Sequence, residues 1–76
     1  MDILEIDKYL KELGLNVELE NKIFKGYCSN IKKWGVFRIW KNKKGRLTVK
    51  TKGVQKSFHC KNKEDFKIIL KGFEII

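Results

Sequence analysis

Residues 34–60 read WGVFRIWKNKKGRLTVKTKGVQKSFHC, and the strand pattern of the chain is clearest here. Aromatic and β-branched residues alternate with polar ones, and Gly or Asn bounds each run, as in hairpins of short strands. We therefore predict three antiparallel strands between Trp34 and Cys60. The connecting turns fall at residues 43–45 and 52–53.

The two turns predict the strand register, because side chains alternate with period two and a one-residue slip exchanges the faces. A three-residue first loop, whose glycine tolerates the left-handed conformation, places Ile39 opposite Val49. A two-residue second turn places Leu47 opposite Phe58. One face of the sheet then carries the side chains of Phe37, Ile39, Leu47, Val49, Phe58 and Cys60.

The other face of the predicted sheet is basic. In this register Arg38 lies opposite Lys50, and like charges directly opposite each other destabilise a sheet. A chain tolerates such a pair more easily where an anion binds. The competing interpretation is a solvated face whose tryptophans are covered by the N-terminal segment. The residues predicted to bind nucleic acid are Trp34, Arg38, Trp40, Lys43, Lys44, Arg46, Thr48, Lys50, Lys52, Gln55 and His59.

The distribution of charge favours a polyanionic partner. The chain has 76 residues and a net charge of +9, and residues 31–63 contain twelve Lys or Arg and no Asp or Glu. Such a patch attracts nucleic acid most often. An anionic membrane surface is a poorer match, because the basic stretch is not an amphipathic helix.

Length and composition predict a single domain over residues 1–76. The chain has no apolar run long enough for a membrane helix and no signal-peptide pattern, so we expect a cytoplasmic protein. Cys28 and Cys60 match no metal-binding spacing and are predicted to be buried thiols. The sequence also permits a disulfide between them. We find no phosphate-binding loop and predict neither a metal nor another cofactor.

A helix is predicted at each end of the chain. Asp2 and Glu5 form a capping box, and Gly14 marks the end of the first helix. Asn62 caps the second helix, and Gly72 marks its end. The apolar stripe of the second helix, which we expect to cross the apolar sheet face, consists of Phe66, Ile69, Leu70 and Phe73.

Residues 15–28 permit two interpretations. Leu15, Val17 and Leu19 alternate with polar residues, which favours a strand, and residues 23–28 could return as a second strand. Alternatively, residues 17–27 form a helix. We predict an α+β fold: a three-stranded meander, extended by an N-terminal strand or hairpin, between two helices.

This arrangement resembles the N-terminal arm-binding domains of tyrosine-type phage and transposon integrases, and the plant ethylene-response-factor DNA-binding domains. The motifs that carry the resemblance are Lys33-Trp34-Gly35-Val36, Lys56-Ser57-Phe58 and Lys63-Glu64-Asp65-Phe66. The resemblance implies that the sheet enters the major groove of DNA, where Arg38, Arg46 and Lys50 reach bases or phosphates. DNA is therefore the favoured partner.

Three alternatives remain. The order helix, three strands, helix is similar to RNA-binding αβββα modules of the double-stranded-RNA-binding and signal-recognition-particle Alu types. Residues 35–40 and 47–49 are similar to the core strands of RelE-like ribosome-dependent nucleases, in which Arg38 and His59 would handle the phosphate. A protein-binding module is the third. His59 is the single histidine of the sequence, and the predicted basic face has no carboxylate to act with it as an acid–base pair. We therefore predict no enzymatic activity and no catalytic residue.

Overall fold

The computed structural model describes residues 1–29 and 35–76. Five strands form one antiparallel sheet in the order β1-β2-β3-β4-β5, and a helix lies at each end of the chain. The elements are α1 (Ile3–Glu12), β1 (Val17–Glu20), β2 (Ile23–Tyr27), β3 (Val36–Lys41), β4 (Leu47–Thr51), β5 (Val54–Phe58) and α2 (Lys63–Gly72).

The predicted α+β class is confirmed. The predicted three-stranded meander is part of a five-stranded sheet, because β1 and β2 extend it as an N-terminal hairpin. The strand interpretation of residues 15–28 is confirmed, and the alternative helix over residues 17–27 is wrong. Asn21 and Lys22 both have positive φ, which gives the two-residue turn that suits the twist of a hairpin. The meander begins at Val36 and ends at Phe58, somewhat inside the predicted limits, and Trp34 lies outside the described residues.

The predicted register of the last three strands is confirmed. Ile39 lies opposite Val49, and Leu47 lies opposite Phe58. Gly45 has a φ of +77°, so the first loop has the left-handed residue that its three-residue length requires. This register sends Phe37 and Ile39 of β3, Leu47 and Val49 of β4 and Phe58 of β5 to one face.

Both helices cover that apolar face. Their buried side chains pack in one cluster with those of the sheet, and the Tyr9 and Phe66 rings, one from each helix, lie 5.7 Å apart. Both predicted N-caps are confirmed: Asp2 Oδ1 accepts from the Glu5 amide at 2.8 Å, and Asn62 Oδ1 accepts from the Asp65 amide at 2.9 Å. These caps satisfy amides that a helix leaves unpaired at its start.

The two helices end in the same way. In α1 the amide of Leu15 donates to Leu10, and in α2 the amide of Ile75 donates to Leu70, after a left-handed residue in each case. These are the hydrogen bonds of Schellman caps, and they turn an apolar residue back into the core. The left-handed residue after α2 is Glu74, whereas Gly72, the predicted stop, is the last helical residue.

Gly26 lets β2 lie close to its neighbours. A Cβ at this position would be 2.8 Å from the Asn16 carbonyl oxygen and 2.9 Å from the Phe37 ring. Contacts below 3 Å cannot form without displacing backbone or core atoms. The close approach explains why a glycine, which weakens strands, stands inside this one.

We expect Gly26→Ala to lower the free energy of unfolding by about 1–3 kcal/mol, because the added methyl group overpacks the core. Gly72→Ala is the matched control, since no atom lies within 4 Å of its Cβ position. Alanine there should leave stability unchanged or raise it by up to about 1 kcal/mol. Urea denaturation measures both variants, and equal midpoints would contradict the close packing at Gly26.

Candidate nucleic-acid interface

Three cations form a row across the face of the sheet that the helices leave open. Lys25 on β2 lies opposite Arg38 on β3, and Arg38 lies opposite Lys50 on β4. All three side chains are exposed. Directly paired residues on neighbouring strands are about 5 Å apart, so three positive charges originate within about 10 Å. We call these three residues the basic row.

The basic row is not neutralised within the described part of the chain. The ion pairs found there join Lys11 to Asp7 and Lys63 to Glu12, and none involves the row. Glu18 on β1 lies opposite Lys25 but forms no ion pair with it, and Gln55 lies opposite Lys50 at the other end. Neighbouring like charges cost up to about 1 kcal/mol per pair even in water. An anion bound at the row removes that cost.

Aromatic side chains flank the basic row on the open face. Trp40 lies two residues beyond Arg38 on β3 and is half-buried. Tyr27 lies two residues beyond Lys25 on β2 and is 51% exposed. Because the two strands are antiparallel, these rings lie on opposite sides of the row. Positive charge bordered by partly exposed rings is the composition of surfaces that bind nucleotide bases and phosphates together.

The β3–β4 loop holds three more cations at one end of the sheet. Asn42 Oδ1 accepts hydrogen bonds from the amides of Lys44 and Arg46, both at 3.0 Å, and the Asn42 amide donates to the Arg46 carbonyl. These bonds hold the loop in one shape. The exposed side chains that it presents are Lys43, Lys44 and Arg46.

The structure brings together some of the predicted site residues and separates others. Arg38, Trp40, Lys50 and Gln55 share the open face, as predicted. Thr48 also lies on this face, but it is only 1% exposed, and its hydroxyl forms a hydrogen bond with Ser57 Oγ at 2.8 Å. Its hydroxyl is therefore already engaged within the sheet.

Two further predicted residues lie away from the basic row. Lys52 occupies the β4–β5 turn with a positive φ, and its side chain passes close to Gly35 and lines the side of the sheet nearest α2. His59 follows the end of β5 and lines a shallow depression with Asp65 and Ile68. Trp34, also predicted, lies outside the described residues.

The sequence prediction missed Lys25 and Tyr27. Both belong to β2, and residues 15–28 had two competing interpretations, so the faces of that strand were not assigned. The signal was present in the alternation of Phe24, Gly26 and Cys28 with polar or aromatic neighbours. To assign Lys25 and Tyr27 to the open face from this alternation, one must also know that β2 pairs with β3.

His59, Cys60 and Asp65 come close to one another in the fold and raise the question of nucleophilic chemistry. The Cys60 thiol donates to the Asn62 carbonyl at 3.5 Å. Burial, and to a lesser degree the negative charge of Asp65, raises the pKa of this thiol. Nucleophilic cysteines require the opposite shift, because the thiolate is the reactive form. Both cysteines are free thiols, and Cys28 is buried.

Within residues 1–29 and 35–76, no group of three or more His, Cys, Asp or Glu side chains is placed to hold a metal ion. No helix in the same residues is long and apolar enough to cross a membrane. Comparisons of the chain with protein-family models, with curated proteins and with solved structures find no match. The resemblances drawn from short sequence motifs therefore stay predictions.

Arg38→Gln should make the protein more stable at low ionic strength, because it removes the central charge of the basic row. We expect a gain of a few tenths to about 1 kcal/mol, shrinking as salt screens the remaining charges. Lys67→Gln on α2 is the control, since Lys67 is exposed but is not part of the row. Urea denaturation in low and high salt gives the comparison. A loss of stability in Arg38→Gln at low salt would show that the row is not repulsive.

Proposed function

We propose that this protein binds nucleic acid on the open face of its sheet, with a single strand laid across the basic row. The observation that carries the proposal is the direct opposition of Lys25, Arg38 and Lys50. Arg38 and Lys50 have no carboxylate opposite them, and only Lys25 has one, Glu18, with which it forms no ion pair. The row therefore favours a ligand with closely spaced negative charges. A phosphodiester backbone is such a ligand, since each strand of B-DNA carries one negative charge per about 3.4 Å.

The width of the sheet favours a single strand over a duplex on this face. Five strands span about 19 Å from the first to the last. The major groove of B-form DNA is about 12 Å wide and admits a helix or a two-stranded ribbon, whereas the major groove of an RNA duplex is too narrow for side chains. A single strand has no groove to enter and can lie flat on the sheet.

The aromatic side chains support the same ligand. In a single strand the bases are free to stack on protein rings, and each such contact contributes about 1–3 kcal/mol. Trp40 and Tyr27 flank the row, so bases could stack on either side while the phosphates contact the cations. Stacking tolerates every base, and the proposed binding is accordingly weak in sequence preference.

Duplex DNA is the second candidate, and the β3–β4 loop is the observation that favours it. The loop is held by Asn42 and presents three exposed cations beyond the ends of the flanking strands. A two-stranded ribbon of this kind has the dimensions of the major groove. In this mode β3 and β4 would approach the duplex end-on, and Lys43, Lys44 and Arg46 would contact phosphates.

A binding titration by fluorescence anisotropy, with single-stranded DNA, single-stranded RNA and duplex DNA in parallel, separates these modes. For a single strand held by the three cations of the row, the logarithm of the binding constant should fall against the logarithm of salt concentration with a slope of about −2. A duplex held by the three loop cations should give a slope of about −3. Tighter binding to duplex DNA with the steeper slope would reject the single-strand mode.

Two substitutions locate the contacts. We expect Arg38→Gln to weaken single-strand binding and to reduce the slope by about 0.7, whereas Lys67→Gln should change neither. Trp40→Leu should lose about 1–3 kcal/mol of binding free energy, and Trp40→Phe, which keeps a ring, should lose less. Equal losses of binding free energy in the Leu and Phe variants would mean that Trp40 packs within the protein and does not stack on a base.

We infer that the protein does not cleave RNA. His59 lies outside the basic row, and the nearby Cys60 thiol is protonated at neutral pH. RNA incubated with the protein, with and without ribosomes, should therefore stay intact. If RNA is cut, and His59→Ala reduces the rate about 10²–10⁴-fold while binding persists, the protein is a nuclease instead.

A further inference from the structure

A groove of about 560 Å³ runs between strand β5 and helix α2, on the side of the sheet opposite the basic row. This volume is typical of sites that hold a ligand. Val54 is 45% exposed and Ile68 is 69% exposed along it. The apolar side chains that line the groove are Val54, Phe58, Ile68, Ile69 and Phe73.

One wall of the groove is an edge strand. β5 is the last strand in the sheet order, so one side of its backbone pairs with no described strand. Its residues are exposed except for Phe58, which is half-buried. An extended segment can add to such an edge through main-chain hydrogen bonds and place alternate side chains in the adjacent groove. α2 would then cover those side chains.

The charge of the groove specifies the segment further. Lys56 projects on the same face as Val54 and Phe58, between them. The other charged residues of the lining are Lys52, in the β4–β5 turn, and Glu74, beyond the end of α2, so the strand side of the groove is basic. A strand paired with β5 therefore meets an apolar, a basic and an apolar side chain in turn. The complementary segment has an acidic residue with an apolar residue two positions away on either side.

We propose that the β5–α2 groove binds an extended segment of a partner protein with this apolar, acidic, apolar alternation. A second copy of the chain matches the groove poorly. Its own β5 has no acidic residue to pair with Lys56. Its β1 edge has Val17 and Leu19 on one face and Glu18 and Glu20 on the other, so neither face places an acid between two apolar residues.

The probe is a short synthetic peptide in which valine, glutamate and valine alternate with threonine, and its control has lysine in place of glutamate. Fluorescence anisotropy should show the glutamate peptide binding roughly three- to tenfold more tightly. Lys56→Glu should reverse this preference. Equal affinity of the two peptides, or an unchanged preference in Lys56→Glu, would overturn the proposal.

Two exposed aliphatic residues provide a matched pair of variants. Ile68→Arg should abolish peptide binding by filling the groove, whereas Leu4→Arg, at a 79% exposed position on α1, should leave it unchanged. Neither side chain is part of the core, so both variants should fold. Equal binding by the two variants would place the peptide elsewhere.

Hydrogen exchange distinguishes strand addition from a side-chain contact. Backbone amides of β5 should exchange more slowly in the presence of the glutamate peptide, and unchanged exchange would exclude pairing with the edge. Sedimentation of the free protein measures self-association and so tests whether a second copy of the chain occupies the groove. Self-association that Ile68→Arg abolishes would assign the groove to a second copy and overturn the partner segment.

Discussion

Short turns impose the register in three of the four strand pairs of the sheet, and the chemistry of both faces follows from that register. Asn21 and Lys22 form the β1–β2 turn, Gly45 completes the β3–β4 loop, and Lys52 with Gly53 forms the β4–β5 turn. All five residues have positive φ. These turns leave no freedom in the pairing of their flanking strands. Since a slip of one residue exchanges the faces of a strand, they also decide which side chains meet water.

The register separates the two faces of the sheet by chemistry. Apolar side chains from four strands meet both helices on one face, where Phe24, Phe37, Ile39 and Val49 are almost completely buried. The opposite face receives the cations. The same pairing that builds the core therefore places Lys25, Arg38 and Lys50 against one another. Their repulsion is tolerated because burial of the apolar face contributes far more to stability than an exposed like-charge pair removes.

The two proposed binding surfaces use different properties of one sheet. The open face offers charge and aromatic rings, and binding there depends on salt and on the density of negative charge in the ligand. The β5 edge offers unpaired backbone groups beside an apolar groove, and binding there depends on the side-chain pattern of an extended segment. The sheet itself separates the two surfaces, because the groove lies on the face that α2 covers and the basic row lies on the opposite face.

The sequence alone determined the local structure and the arrangement of the last three strands. Capping residues such as Asp2 and Asn62 act through their own neighbours, and the lengths of two loops set the register from Phe37 to Phe58, so both are legible without a structure. Tertiary structure decided the rest. The number of strands depended on β2 pairing with β3, and only that long-range pairing placed Lys25 beside Arg38. The β5–α2 groove joins residues that approach one another only after the helix has packed, because neither element contains its lining alone.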